Sequence, residues 1–171
     1  AVKIPSPAIH ETYISKLVDE IVAVTDDEVA QAIVYLLENV KTVAEGSGAA
    51  GLAAVLSRKL KLGAKTCVLL CGGNIDLNIM SKVVERGLRA ESRLARIAVV
   101  VDDTPGNLNR LTSIMAQQRA NILEVYHDRV SPELGIRETR IDLLVETSSD
   151  QHLAEIISEL KKLGCRVAQS V

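Results

Sequence analysis

The sequence predicts a mixed α/β protein of two parts: a partial three-layer α/β domain over residues 1–92, and a small β-α-β-β-α-β domain over residues 93–171. The first prediction rests on an apolar run that ends abruptly at Gly72, Gly73 and Asn74, as buried parallel strands end at a turn. The second rests on strand and helix patterns that alternate from Ile97 onward in the split βαβ order. The polar stretch Gly87–Arg93 between them is typical of a domain boundary.

The composition excludes several classes of function. Apolar residues make up 47% and charged residues 25% of the 171 positions, which is enough for a packed core and argues against disorder. The net charge of −2 gives no electrostatic footprint for nucleic acid or an anionic membrane. The chain has no Phe or Trp and only three Tyr, so it lacks stacking platforms for single-stranded nucleic acid. No apolar run approaches the roughly 20 residues that span a bilayer. We therefore expect neither a nucleic-acid nor a membrane partner.

The cysteines indicate a reducing compartment. Cys67, Cys71 and Cys165 are odd in number and lie in apolar runs, which fits reduced thiols in a cytoplasmic protein. The spacing of Cys67 and Cys71 is not that of a zinc knuckle, and no His accompanies them. We expect no metal site. The chain does not begin with a signal-peptide pattern.

The first part reads as helices around a few strands. Ala1–Pro7 carries two prolines and is predicted to be extended. Thr25 followed three residues later by Glu28 is a capping box that opens a helix reaching about Asn39. The other predicted helices are Ile9–Glu20, Gly48–Lys61 and Leu77–Leu88, and the predicted strands are Glu20–Val24 and Lys65–Leu70. Two or three strands are too few for a self-contained sheet. The order of predicted helices and strands is therefore that of a partial domain.

The second part gives a complete small fold. Its four predicted strands are Ile97–Val101, Asn121–Val130, Thr139–Thr147 and Cys165–Val171. Its two predicted helices are Asn107–Arg119 and Gln151–Leu163, the second ended by Gly164 at the C′ position. The order β-α-β-β-α-β is the ferredoxin-like arrangement.

Two motifs in the first part resemble a known enzyme family. Residues Val43–Ala54 and the turn Cys71–Asp76 resemble the closing portion of the catalytic domain of fold-type II pyridoxal-phosphate enzymes, nearest to the threonine and serine dehydratases. The resemblance implies that the Cys71 thiol contacts the pyridine nitrogen without holding it protonated, which suits elimination of a β-hydroxyl. It also implies cofactor contacts from Glu45, Gly46, Gly72, Gly73 and Asn74. Without the family, Cys71 reads as a buried apolar strand residue and Glu45 as a first-turn helix charge.

The second part resembles the regulatory ACT domain. The resemblance rests on Val99–Leu108, which contains the pattern D-x-P-G-x-L, and on Asn121–Leu123 after the helix. In that family the turn opens a helix whose free N–H groups can hold an amino-acid carboxylate. The implied effector contacts are Asp103, Pro105, Gly106, Asn107, Leu108, Asn121 and Ile122. The alternative is a helix cap that serves only a subunit interface. Isoleucine and valine fit biosynthetic regulation, but single ACT domains also occur in catabolic enzymes, so the effector stays open.

What the sequence lacks bears on activity. No segment matches the family's S-x-K-x-R-G motif with the Schiff-base lysine, and no loop matches the one that cradles the cofactor phosphate. We therefore assign no catalytic residue to this chain. We expect it to be the C-terminal part of a threonine dehydratase that deaminates threonine, or serine, to 2-oxobutanoate, or pyruvate, and ammonia, with the isolated chain inactive.

A rival hypothesis keeps only the second part. In it the chain is a stand-alone amino-acid-binding or dimerisation module, and the first part is a scaffold. Under either hypothesis we expect a homo-oligomer, at least a dimer, because small sheets with exposed edges commonly pair.

Overall fold

A computed structural model describes residues 6–170, with side chains described as far as residue 167. The chain divides into two compact units, Ala1–Gly87 and Leu88–Val171. Most of the segment predicted as extended at the start of the chain, and Val171 of the predicted last strand, lie outside the described residues. Pro7, also predicted as extended, begins a helix instead, because a proline at the first helical position loses no hydrogen bond.

The first unit opens with short helical pieces. The one-turn helices α1 (Pro7–Ile9) and α2 (Ser15–Leu17) flank the π-helical turn His10–Ile14. Val18 then adopts an extended conformation, φ −100° and ψ 116°, so the helix is shorter than its apolar pattern predicted.

Helix α3 (Asp26–Tyr35) begins at the predicted capping box. The Thr25 amide donates to Glu28 Oε2 at 2.6 Å, and the Glu28 amide donates to Thr25 Oγ1 at 3.2 Å. This reciprocal pair satisfies two N–H groups that a helix start otherwise leaves without partners. The helix continues through the π-helical turn Leu36–Val40 and ends where Lys41 takes a left-handed conformation.

Two further helices complete the first unit, α4 (Gly46–Leu56) and α5 (Leu77–Ala90). The missing side chain of Gly87 lets α5 approach α3 closely, since a Cβ on Gly87 would lie 2.5 Å from Val34 Cγ2. The core of this unit is small and aliphatic, formed by Ala32, Ile33, Leu36, Ala44, Ala49 and Ala53.

The two strands predicted for the first unit are absent: residues 6–87 contain no strand. A strand is held by hydrogen bonds to a neighbouring strand, and neither Glu20–Val24 nor Lys65–Leu70 has such a neighbour here. Leu69, at the centre of the apolar run, is 79% exposed. The apolar pattern thus shows that the segment is suited to a buried strand, but no neighbouring strand pairs with it among the described residues.

The second unit is a four-stranded antiparallel sheet of order β2-β3-β1-β4. The central strands are β1 (Leu94–Asp102) and β3 (Glu138–Glu146), and the edge strands are β2 (Asn121–Asp128) and β4 (Arg166–Ser170). Helices α6 (Asn107–Gln117) and α7 (Asp150–Lys162) complete the predicted β-α-β-β-α-β order, which is confirmed.

Alternation along the central strands creates the core of the second unit. Ile97, Val99 and Leu143 point to the side of the sheet where α6 and α7 pack, and all three are fully buried. Leu111, Met115, Ile156 and Leu160 meet them from the helices. Gly164, at φ +79°, ends α7 at the predicted C′ position.

Candidate functional site

The turn after the apolar run lies directly against the start of α4. The Glu45 amide donates to the Gly72 carbonyl oxygen at 2.8 Å. Gly48, in the first turn of α4, is so close that an added Cβ would lie 1.5 Å from the Cys71 carbonyl oxygen. Gly72 has φ +74°, a left-handed conformation that favours glycine. The turn and the helix are therefore joined closely through their backbones.

The Glu45 carboxylate closes one side of this turn. A Cβ on Gly72 would lie 2.6 Å from Glu45 Oε1, and the Ser47 hydroxyl donates to the same oxygen at 2.5 Å. Glu45 is half-buried, whereas the Cys71 thiol is exposed. Among the described residues, Cys71 is therefore not enclosed in a core.

The other predicted cofactor contacts are less closely grouped. The Cα of Gly73 faces the Val43 carbonyl oxygen, 3.6 Å from an added Cβ. Gly46 faces Val29 of α3 in the same way, at 3.6 Å, rather than the turn. Asn74 is exposed two residues beyond Gly72. The structure thus brings Cys71, Gly72 and Glu45 together and leaves Gly46 and Asn74 at the margin.

In the second unit, the D-x-P-G segment forms a braced loop before α6. The Asn107 side-chain amide donates to the Asp102 carbonyl oxygen at 2.7 Å and to Thr104 Oγ1 at 2.9 Å. The Asp103 amide donates to the Arg137 carbonyl oxygen at 2.7 Å. Gly106 has φ +95°, and an added Cβ there would meet no atom within 4 Å. The helix therefore starts beside open space.

That space is a cavity of about 590 Å³. Five predicted residues line it (Asp103, Pro105, Gly106, Asn107 and Leu108), and the ends of two strands add His127, Arg129, Thr139 and Ile141. Arg129 Nε donates to Asp103 Oδ1 at 3.2 Å. Both partners are partly exposed, so the pair is held weakly and can exchange its partners. The cavity combines a cation, a carboxylate and apolar side chains at a helix N-terminus.

Two predicted effector contacts lie elsewhere. Asn121 pairs in register with Glu146, where β3 ends, whereas the cavity adjoins Thr139, where β3 begins. The Asn121 side chain donates to Glu146 Oε2 at 3.0 Å, and Ile122 packs against the core. Within one chain, Asn121 and Ile122 therefore do not reach the cavity.

Comparison with known families agrees with this division into a helical unit and a sheet unit. Residues 2–72 match the family described as pyridoxal-phosphate dependent enzyme, and residues 89–165 match the ACT domain family. Each half of the chain is thus similar to a different family, the first to the pyridoxal-phosphate dependent enzymes and the second to ACT domains. Cys71 and Gly72 lie at the end of the first match, and the loop with its cavity lies within the second.

Two curated relatives are similar across both segments. The L-threonine ammonia-lyase of Geobacter sulfurreducens is 46% identical over 152 residues, which are 88% of this chain and 38% of that protein. The L-threonine ammonia-lyase of Thermotoga maritima is 42% identical over 167 residues, 98% of this chain and 41% of that protein. The chain thus spans about two fifths of the length of these relatives.

The sheet unit, residues 88–171, is called the ACT unit from here on. Among solved structures, it is similar to the ACT domain of the GTP pyrophosphokinase of Chlorobium tepidum. The identity is 19% and the TM-score 0.37, over 45% of this chain and 96% of that one.

Sequence reasoning missed four residues that line the ACT cavity: His127, Arg129, Thr139 and Ile141. They come from β2, the residue that follows it and β3, all distant in sequence from the D-x-P-G turn. The register between these strands places Asp128 opposite Arg140, and this brings both strand ends to the loop. Strand register depends on tertiary structure. In the sequence, only the charged residues Asp128 and Arg129 at the end of β2 could have indicated a binding site there.

The described residues contain neither a metal-binding cluster nor a membrane-spanning helix. No group of three or more His, Cys, Asp or Glu side chains in residues 6–170 could hold a metal ion. None of the helices in this part of the chain has the length and apolar character needed to span a bilayer. All three cysteines, which lie in the described residues, are free thiols.

Proposed function

We propose that this chain is the C-terminal part of a pyridoxal-phosphate-dependent threonine ammonia-lyase, which converts threonine to 2-oxobutanoate and ammonia. The observation that carries the proposal is the exposed Cys71 thiol beside Gly72 and Glu45, inside the segment that matches the pyridoxal-phosphate enzymes. The similarity to two L-threonine ammonia-lyases over both units supports it. Serine, giving pyruvate, is the second candidate substrate.

The residues present fit one edge of the cofactor ring. The thiol is exposed, and the two glycines that follow it place no side chain between the sulfur and the open side of the turn. When bound, pyridoxal phosphate withdraws electrons from the substrate Cα, which makes the α-proton acidic and the β-hydroxyl a leaving group. Cys71 and Gly72 would hold the nitrogen edge of the ring, and Glu45 would line its other edge.

Each of these residues has a separate task. The Cys71 S–H is a weak donor, so it can orient the pyridine nitrogen without giving up its proton. An unprotonated nitrogen is a weaker electron sink, which favours loss of the β-hydroxyl over transamination. The Ser47 hydroxyl holds the Glu45 carboxylate against Gly72, where it fixes the backbone of the turn.

The test uses the full-length protein and compares its two neighbouring thiols. We expect visible absorbance from bound pyridoxal phosphate and production of keto acid from threonine. Cys71→Asp should lower kcat by about tenfold or more and shift the absorbance, since a carboxylate would protonate the nitrogen. Cys71→Ser should keep the spectrum, and Cys67→Ser, four residues away, is the matched control. A full-length protein without cofactor absorbance and without keto-acid production would contradict the proposal.

We further propose that the ACT cavity binds a free amino acid as an effector. The free N–H groups at the start of α6 and the Arg129 guanidinium suit an α-carboxylate, and the Asp103 carboxylate suits an α-ammonium. Leu108 and Ile141 offer an apolar wall that suits an aliphatic side chain. Isoleucine and valine fit this description best, and isoleucine would connect the enzyme to isoleucine biosynthesis.

Calorimetric titration with isoleucine, valine, threonine and serine tests the effector. Arg129→Met should weaken binding by about tenfold, the scale of one charged hydrogen-bond partner. Arg96→Met is the matched control, because Arg96 pairs with Glu124 and does not line the cavity. Equal loss in both variants would contradict the assignment. Binding by a protein that never takes up pyridoxal phosphate would favour the stand-alone module, and no binding at all would favour a pure interface.

We also propose that the protein is a cytoplasmic homo-oligomer, at least a dimer. The edge strand β2 exposes Leu123, Val125 and Tyr126, and an edge of this kind suits pairing with a second subunit. The three free thiols suit a reducing compartment. Light scattering of Val125→Lys should show a smaller species than the unsubstituted protein, and an unchanged mass would contradict pairing through β2.

A further inference from the structure

We infer that Gly48 is a positioning residue for the Cys71 thiol. It is the absence of a side chain at this point of α4 that lets the helix lie directly under the Cys71–Gly72 peptide. The inference rests on the proposed function, because the place of the thiol matters to the reaction only if the thiol faces the cofactor.

The geometry at Gly48 leaves no room for any other residue. An added Cβ would lie 1.5 Å from the Cys71 carbonyl oxygen, 2.7 Å from the Cys71 carbonyl carbon and 3.2 Å from the Gly72 oxygen. The Cys71 oxygen would have to move by roughly 1.5 Å to reach the 3.0 Å that real Cβ contacts respect. All three atoms belong to the backbone, so no change of rotamer can relieve the contact.

A side chain at Gly48 would therefore displace the turn itself. The Gly72 carbonyl accepts the Glu45 amide at 2.8 Å, and this bond ties the turn to the start of the helix. Moving the Cys71–Gly72 peptide breaks that bond and carries the sulfur with it. Shifts of about 1 Å at a reacting centre can lower rates by about a hundredfold, so a displacement of this size is large in functional terms.

The other two glycines of α4 do not have this role. A Cβ on Gly51 would lie 3.3 Å from Val68 Cγ1, the end of a side chain that can yield. A Cβ on Gly46 would lie 3.6 Å from Val29 Cγ1, an ordinary contact. All three lie in one helix, so an alanine at each changes helix propensity in the same sense. Gly51→Ala is therefore the matched control for Gly48→Ala.

The experiment follows the turn separately from the cofactor. In full-length Gly48→Ala we expect amide hydrogen exchange at Glu45 to quicken by about fivefold, the scale of one lost hydrogen bond. Alkylation of Cys71 should change several-fold while alkylation of Cys67, an internal control, stays the same. The absorbance of bound pyridoxal phosphate should shift. Gly51→Ala should leave all three readouts unchanged.

Several outcomes would overturn the inference. Normal Glu45 exchange and normal Cys71 alkylation in Gly48→Ala would show that the helix tolerates the side chain. Altered exchange with an unaltered cofactor spectrum would show that the displaced turn does not place the thiol. If Gly48→Ala does not fold, Gly72→Ala strains the turn directly, because Gly72 has φ +74°, and the same readouts must respond. Failure of the proposed function is a different result, because the unsubstituted protein would then bind no cofactor.

Discussion

The two units of this chain carry similar apolar patterns and use them differently. In the ACT unit, all four strands find partners and the inward face of β3 is fully buried. In the helical unit, the apolar run around Leu69 has no strand partner among the described residues and lies exposed. Helices α3, α4 and α5 still pack around a small aliphatic core there. Helices satisfy their own backbone, whereas strands depend on a neighbour.

The difference shows where each unit obtains its stability. Buried apolar area is the main favourable term in folding, and the ACT unit has more buried aliphatic residues in a single cluster than the helical unit. In the helical unit, short backbone contacts to the start of α4 hold the turn at Cys71 and Gly72 instead. We therefore expect the two units to respond differently to the same kinds of change.

The largest expected difference follows from separating the units. Residues 88–171 expressed alone should unfold cooperatively, with a free energy of unfolding on the order of 5 kcal/mol, as small single domains do. Residues 1–87 alone should melt gradually, because their apolar run lacks a strand partner. Urea unfolding followed by circular dichroism measures both. A cooperative transition in residues 1–87 would show that the helical core is sufficient.

A pair of leucine substitutions gives the next largest effect. Leu143 in β3 is 0% exposed and belongs to the ACT core, so Leu143→Ala should lower the free energy of unfolding by about 2–5 kcal/mol. Leu69→Ala should change it by less than about 0.5 kcal/mol, since that side chain already contacts water. Equal losses in the two variants would mean that the run around Leu69 is covered in solution.

Helix caps should have effects of about 1 kcal/mol each, confined to their own unit. Thr25 caps α3, and Ser149 caps α7 by accepting from the His152 amide at 3.2 Å. Thr25→Ala and Ser149→Ala should each quicken amide exchange in the first turn of the capped helix about fivefold. In each variant, the helix of the other unit, whose cap is unchanged, serves as the control. Exchange that rises in both helices at once would contradict independent units.

The smallest expected effect is a pH dependence at the start of α3. The pKa of Glu28 is lowered to about 2, chiefly by the hydrogen bond from Lys59, with a further contribution from the Thr25 amide. A carboxyl whose folded pKa is depressed stabilises the fold above its ordinary pKa of 4.5 and loses that contribution as the pH falls toward 2. An NMR titration of the Glu28 carboxyl should show this midpoint, and Lys59→Met should move it upward. A midpoint near 4.5 in the unsubstituted protein would contradict the Lys59 contact.

The ACT unit has comparable carboxyls that respond in the same direction. The pKa of Asp128 is lowered, first by the Ser131 hydroxyl, and that of Glu138 is lowered, first by the Gly135 amide. Both contributions are present above the ordinary pKa values and decrease on acidification. Acid therefore loosens both units at partly buried carboxyls rather than at the apolar cores.

The linear pattern was enough to predict all four ACT strands, both ACT helices and the capping box at Thr25. Each of these features depends on local periodicity or on residues three positions apart, so a short segment of sequence is enough to predict it. The predicted strands at Glu20–Val24 and Lys65–Leu70 were wrong, because apolar character shows suitability for a sheet and not the presence of a neighbour.

The same limit applies to the sites. The motifs predicted Cys71, Glu45 and the D-x-P-G loop as site residues, since glycines and caps form short local patterns in a sequence. The contact of Gly48 with the Cys71 carbonyl, and the arrival of Arg129 and Thr139 at the ACT cavity, join segments that are 23 or more residues apart. Such contacts depend on how helices and strands are packed and registered, and packing is set by all the residues together. That is why a pattern in one segment can name the residues of a site, while the distances between them come from the folded chain.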